Sequence, residues 1–135
     1  MLYAYNTAPQ VLAQGASLAF ANAGARRGCC ERLEGGSVRL CRPGTYRVSV
    51  TASASVQAAT AGDVGIQAVL GGQAVPGAVS TGYSAANGED APLSLAFLVR
   101  VGGCPVVSPV PATLAVQATQ AQEVSACSVT VERVA

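Results

Sequence analysis

The side chains able to do chemistry are few and dispersed. Five cysteines, seven carboxylates, eight basic residues and four tyrosines stand among 135 residues, and histidine is absent. Lysine is absent too, so every basic residue is an arginine. Without histidine the chain lacks the commonest general base and metal ligand. Without lysine it can form no Schiff base and no P-loop phosphate clamp. The cysteines are Cys29, Cys30, Cys41, Cys104 and Cys127, an odd number with no C-x-x-C pair. A zinc site would need four of these thiolates, and their spacing fits no ligand pattern. Two readings of them remain: small buried apolar residues, or one disulfide tying the Cys29–Cys30 region to another strand. A reducing compartment favours the first. Glu89 and Asp90 form the only adjacent acidic pair, on a turn that follows Asn87-Gly88. With Asn87 they offer calcium too few oxygens from one side of a turn. The residue set implies no catalytic group, no cofactor and no metal, and argues for a structural or binding module.

Binding chemistry remains. Residues 26–47 carry Arg26, Arg27, Arg32, Arg39, Arg42 and Arg47 against Glu31 and Glu34, a net +4. Residues 48–135 carry Arg100 and Arg133 against Asp63, Glu89, Asp90, Glu123 and Glu132, a net −3, and residues 1–25 are uncharged. The basic segment has a single aromatic residue, Tyr46, and no interleaved series of them, so it reads as solvated strand faces and subunit contacts, not a nucleic-acid site. A sugar site needs an exposed aromatic platform. Tyr46 is expected to be buried. That leaves Tyr83, with Asn87, as the candidate ligand residues of a Ser80–Asn87 loop.

The elements that must position these groups read as strands. The mass of 13.4 kDa fits one domain. Apolar residues alternate along Tyr46-Val48-Val50, Leu93-Leu95-Phe97-Val99-Val101 and Cys127-Val129-Val131. Period two is the signature of a half-buried strand. From it Tyr46, Val48, Val50, Leu95, Phe97, Val99, Val129 and Val131 are expected inside. Further strands are expected at Ser17–Phe20, Ser37–Cys41, Val64–Leu70, Gln73–Thr81 and Ala112–Ala118. The Ala-rich stretches 16–25 and 52–61 read as loop or strand extension. Turn chemistry separates the strands at Gly35-Gly36, Pro43-Gly44, Gly71-Gly72, Pro76-Gly77, Asn87-Gly88 and Gly102-Gly103. Many short strands and no long helix predict an all-β sandwich or barrel. The start lacks a basic and apolar leader, and the apolar runs are too short to span a membrane. The expectation is a chain made in a bacterial cytoplasm.

Leu93–Val101 stands apart. One face is apolar, and the other carries only Ser94, Ala96, Leu98 and a terminal Arg100. A strand apolar on both faces is covered on both. A sandwich of this size has no second layer to spare, so the cover expected is another copy of the chain.

The order of these motifs resembles the C1q/TNF-like jelly roll. Arg42-Pro43-Gly44-Thr45-Tyr46-Arg47-Val48-Ser49-Val50 is similar to that family's "PG-x-Y-x-V-S" strand. Val64–Leu70, Gly71-Gly72 and Gln73-Ala74-Val75-Pro76-Gly77 resemble its central hairpin. Leu93–Val101 resembles its strand F, and Ala112–Ala118 and Cys127–Val134 its last two strands. The usual turn asparagine of the hairpin is Gly71 here.

The resemblance implies a two-sheet antiparallel jelly-roll sandwich that assembles as a trimer, with residues 1–10 an N-terminal arm and 11–135 the domain. In the family topology the Tyr46 strand lies between strand F and the last strand, antiparallel to both. The trimer face then comprises Arg47, Ser49, Thr51, Leu98, Arg100, Thr130 and Glu132. The short Ala/Val/Thr-rich relatives are phage head-fibre or capsid decoration proteins and bacterial spore-surface proteins. The latter usually carry a Gly-x-y stalk, which is missing here. The expected function is a non-enzymatic virion structural protein, a homotrimer attached to a major capsid protein or a neighbouring virion protein. The alternative is a spore-surface or carbohydrate-binding C1q-like module with a host-surface glycan as partner.

Overall fold

The computed structural model describes residues 1–28, 30–57, 61–102 and 111–135. Cys29 and Cys104 lie outside the described residues, as does the Gly103 half of one expected turn. Among the described residues there are eleven strands: β1 (Leu2–Asn6), β2 (Gln10–Leu12), β3 (Asn22–Arg26), β4 (Glu31–Glu34), β5 (Ser37–Leu40), β6 (Gly44–Val56), β7 (Gly62–Leu70), β8 (Gln73–Ser84), β9 (Ala91–Val101), β10 (Ala112–Ala118) and β11 (Gln122–Arg133). One sheet runs β3-β1-β11-β6-β9, with β2 also paired to β11. The other runs β4-β5-β10-β7-β8, and every pairing is antiparallel. The chain is an antiparallel two-sheet sandwich, as the strand pattern predicts, and a jelly roll, as the resemblance implies.

Two hairpin turns follow from glycine alone. Gly35 and Gly36 have φ of 61° and 81°, and Gly71 and Gly72 have φ of 60° and 87°. Positive φ at both central residues defines the tight turn whose twist matches the flanking strands. Longer connections cross between the sheets, so both sheets share two ends. We call the end holding Gly44, Val101, Arg133 and Leu40 the lower end. The end holding Val56, Ala91, Gln122 and Ser84 is the upper end.

The core lies between the sheets and is built from β-branched and Leu side chains. Tyr46, Val48, Val50, Leu95, Val99, Val129 and Val131 are buried, as their parity predicts. Phe97 points inward but is only half-buried, because β9 is the edge of its sheet. Val38, Leu40, Ile66, Leu114 and Val116 come from the facing sheet. Each such side chain contributes about 1.5–3 kcal/mol by leaving water.

The structure corrects four expectations. Pro76-Gly77 is not a turn between strands: both residues lie within β8, where Gly77 has φ of 78° beside a register shift against β7. Residues 2–6 are not an arm: β1 is an interior strand, paired with both β11 and β3. Ser17–Phe20 is not a strand. Ser17 makes an isolated bridge to Gln117, while Leu18 and Phe20 are buried plugs. The backbone N–H of Leu18 donates to Val116 and that of Phe20 to Gly36. Tyr83 is not in a loop but near the end of β8.

Candidate subunit interface

Strand parity and register assemble the candidate face. On β6, Tyr46, Val48 and Val50 point into the core, so Arg47, Ser49 and Thr51 point out. The register aligns Glu132 with Arg47 and Leu98, Thr130 with Ser49 and Ala96, and Ser128 with Thr51 and Ser94. All seven residues expected at the trimer face therefore lie on one surface of one sheet. Arg100 sits opposite Thr45 at its lower edge. Among the described residues most of this surface is left open. Leu98 is 60% exposed, and Ser49, Thr51, Ala96 and Arg100 are exposed as well.

Its chemistry is that of a flat, weakly polar floor. The Thr51 and Ser128 hydroxyls share a hydrogen bond of 2.6 Å, so each has its partner within the sheet. Arg47 Nη1 lies 3.5 Å from Glu132 Oε1. The face continues onto β1, where Tyr3 is opposite Thr130 and Tyr5 opposite Ser128. The two rings stack with centroids 5.8 Å apart. Gly24 on β3 makes room for them: a Cβ there would come 2.8 Å from Tyr3 Cδ2 and 3.1 Å from Tyr5 Cε1. Between this aromatic wall and Pro92 runs a concavity of about 550 Å³, floored by Thr51, Ser94 and Ser128. Tyr3 and Tyr5 were not expected here, because residues 1–10 read as an arm. The Leu2-Tyr3-Ala4-Tyr5-Asn6 alternation was the signal that could have placed them.

The ligand residues expected elsewhere do not join this face. Tyr83 lies on the other sheet, opposite Asp63, and is 67% exposed. Asn87 is engaged in the fold: Nδ2 donates to the Val56 carbonyl at 3.0 Å and to Glu123 Oε2 at 3.4 Å. Glu89 and Asp90 share the same loop, and Asp90 accepts from Ser125 Oγ at 3.0 Å. Among the described residues no group of three or more Cys, Asp or Glu side chains is arranged to hold a metal.

Cys30, Cys41 and Cys127 are free thiols. Burial pushes the Cys127 thiol pKa up, partly offset by hydrogen bonds from Gln10 and from the Asn6 backbone. Burial also raises the Tyr46 phenol, with the nearby Cys30 adding to it. A 2.6 Å hydrogen bond from Tyr46 Oη to the Arg42 carbonyl fixes the ring at the lower end of the core. Glu31 is fully buried, and its carboxylate pairs with the Met1 ammonium.

No protein-family model matches the chain, and no curated protein matches it. Solved structures do. The globular domain of zebrafish complement 1qA protein aligns over 96% of this chain and 94% of its own, with TM-score 0.60 and 6% identity. Eiger TNF from S. frugiperda covers 99% of this chain and 92% of its own, with TM-score 0.70 and 12% identity. The PRD1 vertex protein P5 covers 99% and 96%, with TM-score 0.60 and 14% identity. At such identities the likeness is one of fold. The strand order, the two-sheet architecture and these neighbours agree: the chain is a C1q/TNF-like jelly roll.

Proposed function

We propose that this chain is a non-enzymatic structural module that works as a homotrimer. The observation that carries the reading is the uncovered face of the β11-β6-β9 surface. It exposes Leu98 among small side chains, of which Thr51 and Ser128 share a hydrogen bond. Arg47, Ser49, Thr51, Leu98, Arg100, Thr130 and Glu132 pack against two further copies of the chain, and the Tyr3–Tyr5 stack borders the contact. The paired hydroxyls of Thr51 and Ser128 cost little to desolvate, since their hydrogen bond goes with them. The fold's likeness to C1q and TNF domains supports the threefold arrangement.

Within that reading the module serves on a virion, as a capsid decoration or head-fibre protein docked on a major capsid or neighbouring virion protein. The likeness to the PRD1 vertex protein supports this over a spore-surface role. Sedimentation at micromolar concentration and physiological ionic strength is expected to give three chains per particle. Leu98→Glu is expected to give single chains with an unchanged far-UV circular dichroism spectrum. A compact single chain for the parent protein refutes the trimer. Virions whose heads carry no such particles by electron microscopy refute the virion role and leave the trimer standing.

A glycan-binding module is the second reading, favoured by the exposed Tyr83 on β8. Loss of glycan-array binding on Tyr83→Ala, with the trimer intact, supports it.

A further inference from the structure

The fold sorts the charges that the sequence scatters. Arg26 ends β3, Arg42 precedes β6, Arg47 is the fourth residue of β6, Arg100 is near the end of β9 and Arg133 ends β11. The register brings all of these strand ends together, since Arg26 is opposite Leu2, Arg133 opposite Tyr46 and Arg100 opposite Thr45. Arg27 follows directly, its N–H held by the Met1 carbonyl. The lower end thus holds six arginines against Glu31 and Glu132, a net +4. Arg26, Arg27 and Arg42 are exposed and have no carboxylate within 4 Å among the described residues.

The upper end is the reverse. Asp63 opens β7, Glu123 opens β11, and Glu89 and Asp90 lie on the loop before β9, a net −4. None of the four has a cation within 4 Å among the described residues. Arg32 and Arg39 stand opposite each other one residue in from the lower end and share Glu34 at 3.4 and 3.8 Å. The strand rise separates the poles by about 30 Å. The net charge of the chain is only +1. The field at long range is therefore dipolar, with little net repulsion between copies to oppose association.

We propose that the basic lower end is a docking surface for the acidic upper end of a second copy, so that particles stack head to tail. The occupant follows from complementarity: the same molecule carries both matching surfaces, of opposite charge. The inference rests on the layout of a single chain and goes beyond the proposed trimer. In a parallel threefold particle the two poles would each be tripled. A head-to-tail contact leaves a free pole at either end and is open-ended, whereas an antiparallel side-by-side pairing closes at two.

Sedimentation and light scattering across salt concentration test this on the full chain. High salt, about 0.5 M, screens the poles and sets the mass of the basic particle. At about 10 mM salt the screening length is about 30 Å. The average mass is then expected to rise with protein concentration to more than about three times that particle. The triple reversal Arg26→Glu, Arg27→Glu, Arg42→Glu abolishes the rise, as does the double reversal Glu89→Arg, Asp90→Arg. Circular dichroism confirms that each variant is folded. The proposal is overturned by a mass that does not grow at low salt, by growth that stops at two particles, or by growth that survives either reversal. Retention on a sulfated-polymer resin without self-association likewise overturns it and assigns the lower end to a polyanionic polymer. The mass in high salt reports the trimer separately, so failure of one reading leaves the other intact.

Discussion

Arg47 and Glu132 stand directly opposite each other on neighbouring strands, with Nη1 3.5 Å from Oε1. Their side chains are 63% and 44% exposed in the single chain. A pair this open contributes about 0–1 kcal/mol to folding. Its consequence lies in assembly, because a copy packed on the face would remove water from both charges and leave Arg47 dependent on Glu132. Glu132→Ala is expected to raise the trimer dissociation constant by about fivefold or more, equivalent to about 1 kcal/mol. Glu123→Ala, at the upper end, should leave the constant nearly unchanged. Sedimentation of both variants checks this, and equal effects would remove the pair from the interface.

Phe97 on β9 faces the core opposite Val48 but keeps part of its ring in contact with water. Phe97→Ala is expected to cost about 2 kcal/mol in urea unfolding, below the 3–5 kcal/mol of a fully buried ring. A loss under about 0.5 kcal/mol would mean that the side chain does not pack on the core at all.

Gly65 is a tighter constraint than any aromatic residue here. A Cβ at this position would lie 2.9 Å from the Ser80 carbonyl oxygen and 2.5 Å from Thr119 Oγ1. Its own N–H is held by Gln122 Oε1 at 2.8 Å, so β7 cannot simply shift away. Gly65→Ala is expected to cost about 1–3 kcal/mol through this overpacking. Gly72→Ala has free space around it and is strained only by its φ of 87°. Thermal unfolding of the two variants should show Gly65→Ala to be the more damaging.

Alkali should destabilise the fold in two stages. The Cys127 thiol and the Tyr46 phenol both ionise less readily in the folded chain, chiefly because burial penalises the charge. The stability they contribute is fully present below their unfolded pKa values, about 8.5 for a thiol and about 10 for a phenol. It is lost as pH rises from those values toward the raised folded ones. The unfolding free energy is therefore expected to decline above about pH 8.5 and more steeply above about pH 10. Cys127→Ala should flatten the first stage. Tyr46→Phe should flatten the second while lowering stability at every pH, since it gives up the hydrogen bond to Arg42. Denaturant titrations between pH 7 and 11 measure the two slopes; unchanged slopes would contradict the assignment.

Much of the sandwich was legible in the sequence because the half-buried strand has a period that residues display directly. Along Tyr46–Thr51, Leu93–Val101 and Cys127–Glu132, alternation told the inward face from the outward one, and the Gly-Gly turns marked the hairpins. The resemblance in motif order supplied the neighbours of those strands, which is why Arg47, Leu98 and Glu132 were expected side by side. The residues of β1 and β3 gave a weaker signal: both strands are only five residues long, and β3, Asn22-Ala23-Gly24-Ala25-Arg26, is mostly Ala and Gly, which favour strands little. They are strands because β11 has an edge to be paired, a fact of the sheet and not of the segment.

The bulge in β11 was hidden for a similar reason. Val124 and Cys127 both point inward although three residues apart, because the register slips between Val124 and Ala126 against β6. One extra residue reverses parity, and only pairing with a second strand reveals where it is taken up. The charge layout makes the same division. Composition fixed the net charge at +1, and the run at 26–47 showed one basic segment. That Arg100 and Arg133 join that segment at one end, while Asp63, Glu89, Asp90 and Glu123 gather at the other, depends on which strand ends the antiparallel sheets bring together. Coulomb forces act across space, whereas the order of residues records only distance along the chain.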